Sequence, residues 1–190
     1  MSVLYRFLLI VCAAGVLPHA VAAQSRGDKL VFIVRHAERA SATDPDPSLS
    51  EAGKARAAAL AAALRDAQVT DILVTSRKRT QETAALVADA RQLIAHVVPL
   101  SPNTADHIAA VAAAVREAKG NAVLVVGHSN TVTGIIAALG APKLPDLCDA
   151  QYASLFIVRL PARGAPSLIR TQYGAPDPAD AGTCAAASMK

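Results

Sequence analysis

The sequence predicts an α/β protein with a mainly parallel central sheet and helices on both of its faces. Three observations carry that prediction. Apolar strand-like runs alternate with helix-like segments along most of the chain, the pattern of βα units. The runs at residues 30–34 and 122–126 are continuously apolar, as strands buried on both faces must be. Both runs then give way to a histidine, in Arg35-His36 and in Gly127-His128, although buried strands normally end in turn residues. In open parallel sheets the carboxyl ends of the strands are where ligands sit, so imidazoles at two strand tips point to chemistry there.

Taken in order, residues 1–23 stand apart from the fold. Arg6 precedes the apolar run Phe7-Leu8-Leu9-Ile10-Val11-Cys12, and Pro18 and the small residues Ala20-Val21-Ala22-Ala23 follow. That is the order of a secretory signal peptide. Its apolar part is too short to span a bilayer comfortably, so no stable membrane insertion is expected after cleavage. The remainder, residues 24–190, is expected as one exported domain, periplasmic or secreted, with a tail from about residue 174.

The first strand, residues 30–34, leads to a loop at 40–47, where Asp44-Pro45-Asp46-Pro47 blocks helix and forms turns. Ser50 is placed to cap a helix over residues 52–66, with Glu51 in the first turn and Leu60 and Leu64 on one face. A second strand is expected at 71–75, a helix at 80–90 and a third strand at 94–100. A helix at 104–119 follows, with Gly120-Asn121 as its stop signal. Residues 122–126 are the fourth strand, and a helix at 130–139 ends at Gly140. Two last strands, 153–160 and 167–172, flank the hairpin-like Pro161-Ala162-Arg163-Gly164. Tyr152 and Phe156 read as sheet packing.

Hydrophobic residues make up 53% of the chain but aromatics only 3%, so Val, Leu and Ile must build the core, with Ala-rich helices against it. The net charge of +4 comes with no basic run interleaved with aromatics, and nucleic-acid binding is not indicated. Loss of the leader removes Cys12 and leaves Cys148 and Cys184, which are expected to pair in an exported chain. The spacing of His96 and His107 matches no metal-ligand pattern, so neither a metal nor another cofactor is expected.

If the strands are parallel, Arg35-His36, the segment Thr75-Ser76-Arg77-Lys78-Arg79 and His128-Ser129-Asn130 emerge at one sheet edge. Arginine offers a fork of donors that matches phosphate oxygens, so Arg35 and Arg79 are candidates to clamp a phosphate. An imidazole can attack phosphorus and hold the phosphoryl group on nitrogen until water removes it. A second imidazole, if protonated, would stabilise the transferring oxygens. Arg77 and Lys78 read as a solvated basic edge that guides anions inward. Ser129 and Asn130 are secondary candidates for substrate binding.

Four ordered elements resemble the histidine phosphatase superfamily, which includes the cofactor-dependent phosphoglycerate mutases. They are Val34-Arg35-His36-Ala37-Glu38, Leu49-Ser50-Glu51-Ala52-Gly53, Thr75-Ser76-Arg77-Lys78-Arg79-Thr80-Gln81-Glu82-Thr83-Ala84 and Val126-Gly127-His128-Ser129-Asn130. The resemblance implies a three-layer α/β/α sandwich and no metal. It also implies that His36 is the phosphorylated nucleophile and that Arg35, Arg79 and His128 complete the phosphate pocket. The expected activity is hydrolysis of phosphate monoesters, on a small anionic substrate or a phosphoprotein.

The chain departs from the family twice. Ala37 stands where the family usually has Gly. A general acid is not evident, because Ser129 follows His128 where one branch carries Asp. The remaining carboxylates are Asp106, in the segment after the third strand, and Glu38, beside the nucleophile. Without an acid, substrates with good leaving groups, such as aryl phosphates or phosphohistidine, would be favoured. A phosphohistidine phosphatase and a catalytically weak phosphoester-binding protein on the same scaffold are the alternatives.

Overall fold

The computed structural model describes residues 27–181. The signal peptide expected at residues 1–23 and the end of the tail, with Cys184, lie outside the described residues. The elements run β1 (Lys29–Arg35), α1 (Glu51–Ala63), β2 (Asp71–Val74), α2 (Lys78–Arg91), β3 (His96–Val97), α3 (Thr104–Glu117), β4 (Ala122–Gly127), α4 (Val132–Ala138), β5 (Ser154–Leu160) and β6 (Ser167–Gln172). One six-stranded sheet has the order β3-β2-β4-β1-β5-β6. The pairs β2–β3, β2–β4 and β1–β4 are parallel, while β5 pairs antiparallel with both β1 and β6.

Alternation along the strands sorts the core into two layers, as the period of two requires. Val31 and Ile33 of β1, with Val123 and Val125 of β4, pack against Val111 and Val115 of α3 and Ile135 and Ile136 of α4. Phe32, Val34, Leu124 and Val126 face the other way, against Leu60 of α1 and Ala84 and Val87 of α2. The three-layer sandwich therefore follows from continuously apolar central strands. Phe156 is fully buried in the α3/α4 layer. No helix among the described residues is long and apolar enough to cross a membrane.

Local signals act largely as the sequence predicts. Ser50 caps α1, its side chain accepting from the Gly53 amide. Gly140 takes φ +93° directly after α4, a conformation that Gly adopts without a side-chain penalty. Two expectations are corrected. The third strand shrinks from residues 94–100 to His96–Val97, because β3 is an edge strand paired only with β2 and Pro99 ends it. Gly120 does not stop α3 through a left-handed turn. The helix ends at Ala118, which turns extended at φ −50°, ψ 133°. Gly120 is instead required by packing, since a Cβ there would lie 1.9 Å from the Thr70 hydroxyl oxygen.

Candidate active site

The parallel strands deliver the expected residues to one sheet edge. Arg35 ends β1, Thr75 follows β2 and His128 follows β4, and the β1–β4 register sets Arg35 beside Gly127. Arg35, His36 and His128 are all buried. The His36 and His128 rings meet edge to face, with centroids 5.3 Å apart.

His36 is held by the residue after it. Its Nδ1–H donates to the Ala37 carbonyl at 2.8 Å, which leaves Nε2 with its lone pair. The Ala37 amide donates to the Thr83 hydroxyl, which itself donates to the Arg79 carbonyl. Helix α2 thereby fixes both the His36–Ala37 segment and the backbone of Arg79. Ala37 has no positive φ, and its methyl packs with Leu49 and Ala57. Nothing in the local backbone demands the glycine the family usually has.

Arg79 Nη2 lies 3.5 Å from His128 Nδ1, and His128 Nε2 lies 3.1 Å from the Thr75 hydroxyl. Arginine has no acceptor, so Nδ1 accepts and Nε2–H donates to Thr75. Burial first, and then the neighbouring cations, pull both imidazoles down to about 3. Both rings are therefore neutral at pH 7. That suits His36 as a nucleophile, and it leaves His128 uncharged without an anion beside it. Burial likewise lowers Arg35 and Arg79 from the ordinary guanidinium value.

Arg35 differs from the simple clamp the sequence suggests. Its Nη1 donates to the carbonyls of Cys148, Asp149 and Gln151 at 2.9, 2.9 and 3.0 Å. Its Nη2 donates to the Tyr152 hydroxyl, and the guanidinium lies 4.0 Å from that ring's centroid. Tyr152 is thus a partner of the site, with its ring 6.2 Å from His36, rather than sheet packing. The Arg35 Nε–H has no partner among the described residues, and neither does the Arg79 Nε–H, although both are buried.

The remaining candidates separate. Glu38 is paired with buried Arg56, which donates to both its carboxylate oxygens at 2.9 and 3.0 Å. That pair ties it to α1. Asp106 is exposed in the first turn of α3 and does not line the cavity beside His128, so it is set aside. Asn130 lines that cavity, whereas Ser129 does not. The Ser129 carbonyl instead accepts from the Leu147 amide. Asn130 does not begin the last helix, because α4 starts at Val132 after a turn in which the Thr131 hydroxyl accepts from the His128 amide. Asp46 is more than a turn former: it accepts from the Lys78 amide and lies 3.8 Å from Arg79. Arg77 is half-buried and lines the cavity, while Lys78 is exposed.

Sequence reasoning passed over Thr75, Thr83 and Tyr152 as site residues. The threonines sit inside quoted motifs, where their hydroxyls were visible but their partners were not. Tyr152 carries no signal, since it reaches Arg35 through a loop more than a hundred residues away.

A phosphoglycerate mutase-like α/β fold is the class that this sheet and its carboxyl-edge histidines define. Residues 31–100 match the family described as the histidine phosphatase superfamily (branch 1). No curated protein is significantly similar to the chain. Among solved structures, a candidate phosphohistidine phosphatase, SixA of Nakamurella multipartitia, is 24% identical with a TM-score of 0.56, over 78% of this chain and 98% of that one. A protein histidine phosphatase SixA complexed with tungstate is 21% identical with a TM-score of 0.58, over 75% and 96%. A mycobacterial glucosyl-3-phosphoglycerate phosphatase with inorganic phosphate is 18% identical with a TM-score of 0.56, over 77% and 97%. At these identities the likeness is one of fold.

Proposed function

We propose that this chain is a phosphatase that hydrolyses phosphate monoesters through a phosphohistidine on His36. One observation carries the reading. Two buried guanidinium Nε–H donors without partners among the described residues, on Arg35 and Arg79, belong to side chains grouped with a neutral, oriented His36. Buried donors are almost always satisfied, and a phosphate oxygen is the acceptor that arginine donors match best. His36 Nε2 attacks phosphorus in line with the leaving group while the two arginines hold the phosphoryl oxygens. A phosphate dianion offsets the arginines' field at His128, which then takes a proton on Nδ1 and donates it to a phosphoryl oxygen. Water attacks the phosphohistidine and releases phosphate.

The solved relatives' tungstate and inorganic phosphate make oxyanions the natural probes of this pocket. The test is turnover of p-nitrophenyl phosphate, an alkyl phosphate and phosphohistidine by the wild type and by His36→Ala. Loss of all turnover in the variant supports the enzyme. Phosphate binding with equal, negligible turnover in both proteins supports the binding-protein alternative.

Export belongs to the same proposal. The leader order at residues 1–23 supports it, and the N-terminal sequence of the protein recovered from cells checks it. Cys148 is buried. Its pairing with Cys184 is expected of an exported chain, and peptide mapping without reduction tests it.

A further inference from the structure

The phosphatase reading leaves the leaving group without a proton donor, since Glu38 is paired with Arg56 and Asp106 is exposed. The residue next to Asp106 faces the other way. His107 is 2% exposed and lines a cavity of about 430 Å³ together with Arg77, Arg79, Ser101, His128 and Asn130. Its Nδ1–H donates to the Pro99 carbonyl at 2.9 Å, which fixes the ring. Its Nε2 is buried and has no partner among the described residues. An unsatisfied buried nitrogen is costly, and here it belongs to a residue that lines the same cavity as His128 and Arg79. His107 also contributes to the electrostatic field at His128.

We propose that His107 is the catalytic proton donor of this phosphatase, giving the proton on Nε2 to the leaving-group oxygen. The inference rests on the His36 phosphatase reading. It replaces the carboxylic acid sought in the sequence with an imidazole, the side chain most often used for general acid–base catalysis. Arg77, Arg79 and His128 are the other charged or titratable residues that line the cavity, and the phosphate dianion offsets the arginines' charge when substrate binds. In the first step the bond from His36 Nε2 to phosphorus forms as the phosphorus–oxygen ester bond breaks. The bonding pair stays with the departing oxygen, which takes the proton from His107 and leaves as an alcohol. In the second step neutral His107 accepts a proton from water as its oxygen attacks phosphorus. Phosphate leaves, His36 recovers its lone pair, and His107 is protonated for the next cycle.

A proton donor matters in proportion to how poor the leaving group is, which separates this role from a structural one. His107→Asn keeps an amide where Nδ1–H meets the Pro99 carbonyl and removes the group at Nε2. The expected result is a loss of kcat on an alkyl phosphate of about 100-fold or more. The loss on p-nitrophenyl phosphate is expected to be at least tenfold smaller, and Asp106→Asn should behave as wild type on both. Equal losses on the two esters, no loss on either, or a selective loss in Asp106→Asn instead would overturn the proposal. A measurement on the wild type alone guards against a variant that does not fold. Across substituted phenyl phosphates, kcat/KM should depend only weakly on leaving-group pKa, and a steep dependence counts against a donor. Wild type that turns over no ester, matching His36→Ala, overturns the phosphatase reading and this inference with it. Wild type that turns over esters while His107→Asn shows no selectivity overturns the inference alone.

Discussion

At the scale of single residues, burial decides protonation. His36 and His128 sit near 3 in the folded chain, against about 6.5 for an unperturbed imidazole. Between those values the unfolded chain binds more protons than the folded one, so stability falls as pH drops below about 6.5. By pH 5 each ring should have lost roughly 2 kcal/mol of stabilisation. Thermal midpoints of the wild type should therefore fall between pH 7 and pH 5 more steeply than those of a His36→Gln, His128→Gln double variant. Parallel curves would contradict the buried neutral imidazoles. In the same range no acid limb in kcat/KM should come from His36, because its lone pair is free throughout. A second expectation concerns Arg35, whose guanidinium satisfies three carbonyls at once. Lysine has neither the fork nor the planar face against Tyr152. Arg35→Lys should lose both phosphatase turnover and about 2 kcal/mol of stability, which denaturant titration reads.

At the scale of elements, the site depends on how closely α1 approaches the loop after His36. A Cβ on Gly53 would lie 2.2 Å from the Glu38 carbonyl oxygen, so the helix cannot rest there with any larger residue. Gly53→Ala should destabilise the protein by about 2 kcal/mol or more and lower turnover, because the displaced loop follows directly on His36. Arg56→Met leaves Glu38 without its partner and takes donors from the Tyr173 and Ala175 carbonyls. A loss of about 3 kcal/mol is expected, measured by the same titration. Both positions show what the sequence could and could not disclose. The Ser50 cap, the apolar strands and the order of the motifs were legible, because period and capping are local. Glu38 read as a candidate acid because its neighbour in sequence is His36. Its neighbour in space is Arg56, eighteen residues on, and no local pattern contains that pair. His107 was passed over for the same reason: the tie to Pro99 and the open Nε2 exist only once α3 is docked.

At the scale of the whole molecule, the pocket is made by the sheet rather than by any one segment. Arg35 and His36 come from β1 and its exit, Thr75 and Arg79 from the β2–α2 junction, and His128 from the exit of β4. Arg35 also ties β1 to the segment before β5 through the carbonyls of residues 148–151. These parts converge only in the folded chain, so the proposed phosphate site belongs to the native state and has no counterpart in the unfolded one. Linkage then requires stabilisation that grows with ligand concentration, about 2.7 kcal/mol at a hundredfold excess over Kd. For a chain of this size that corresponds to a rise of roughly 5–10 °C in Tm. Inorganic phosphate titrated against the wild type should produce this rise, measured by calorimetry or circular dichroism. Arg79→Ala should abolish most of it, because the variant removes one of the two unsatisfied Nε–H donors while leaving the sheet intact. The conservative Asp106→Asn, exposed and away from the cavity, should retain it in full. A rise of equal size in Arg79→Ala would mean that phosphate stabilises the fold from somewhere other than this pocket, and the anion site inferred from Arg35 and Arg79 would have to be abandoned.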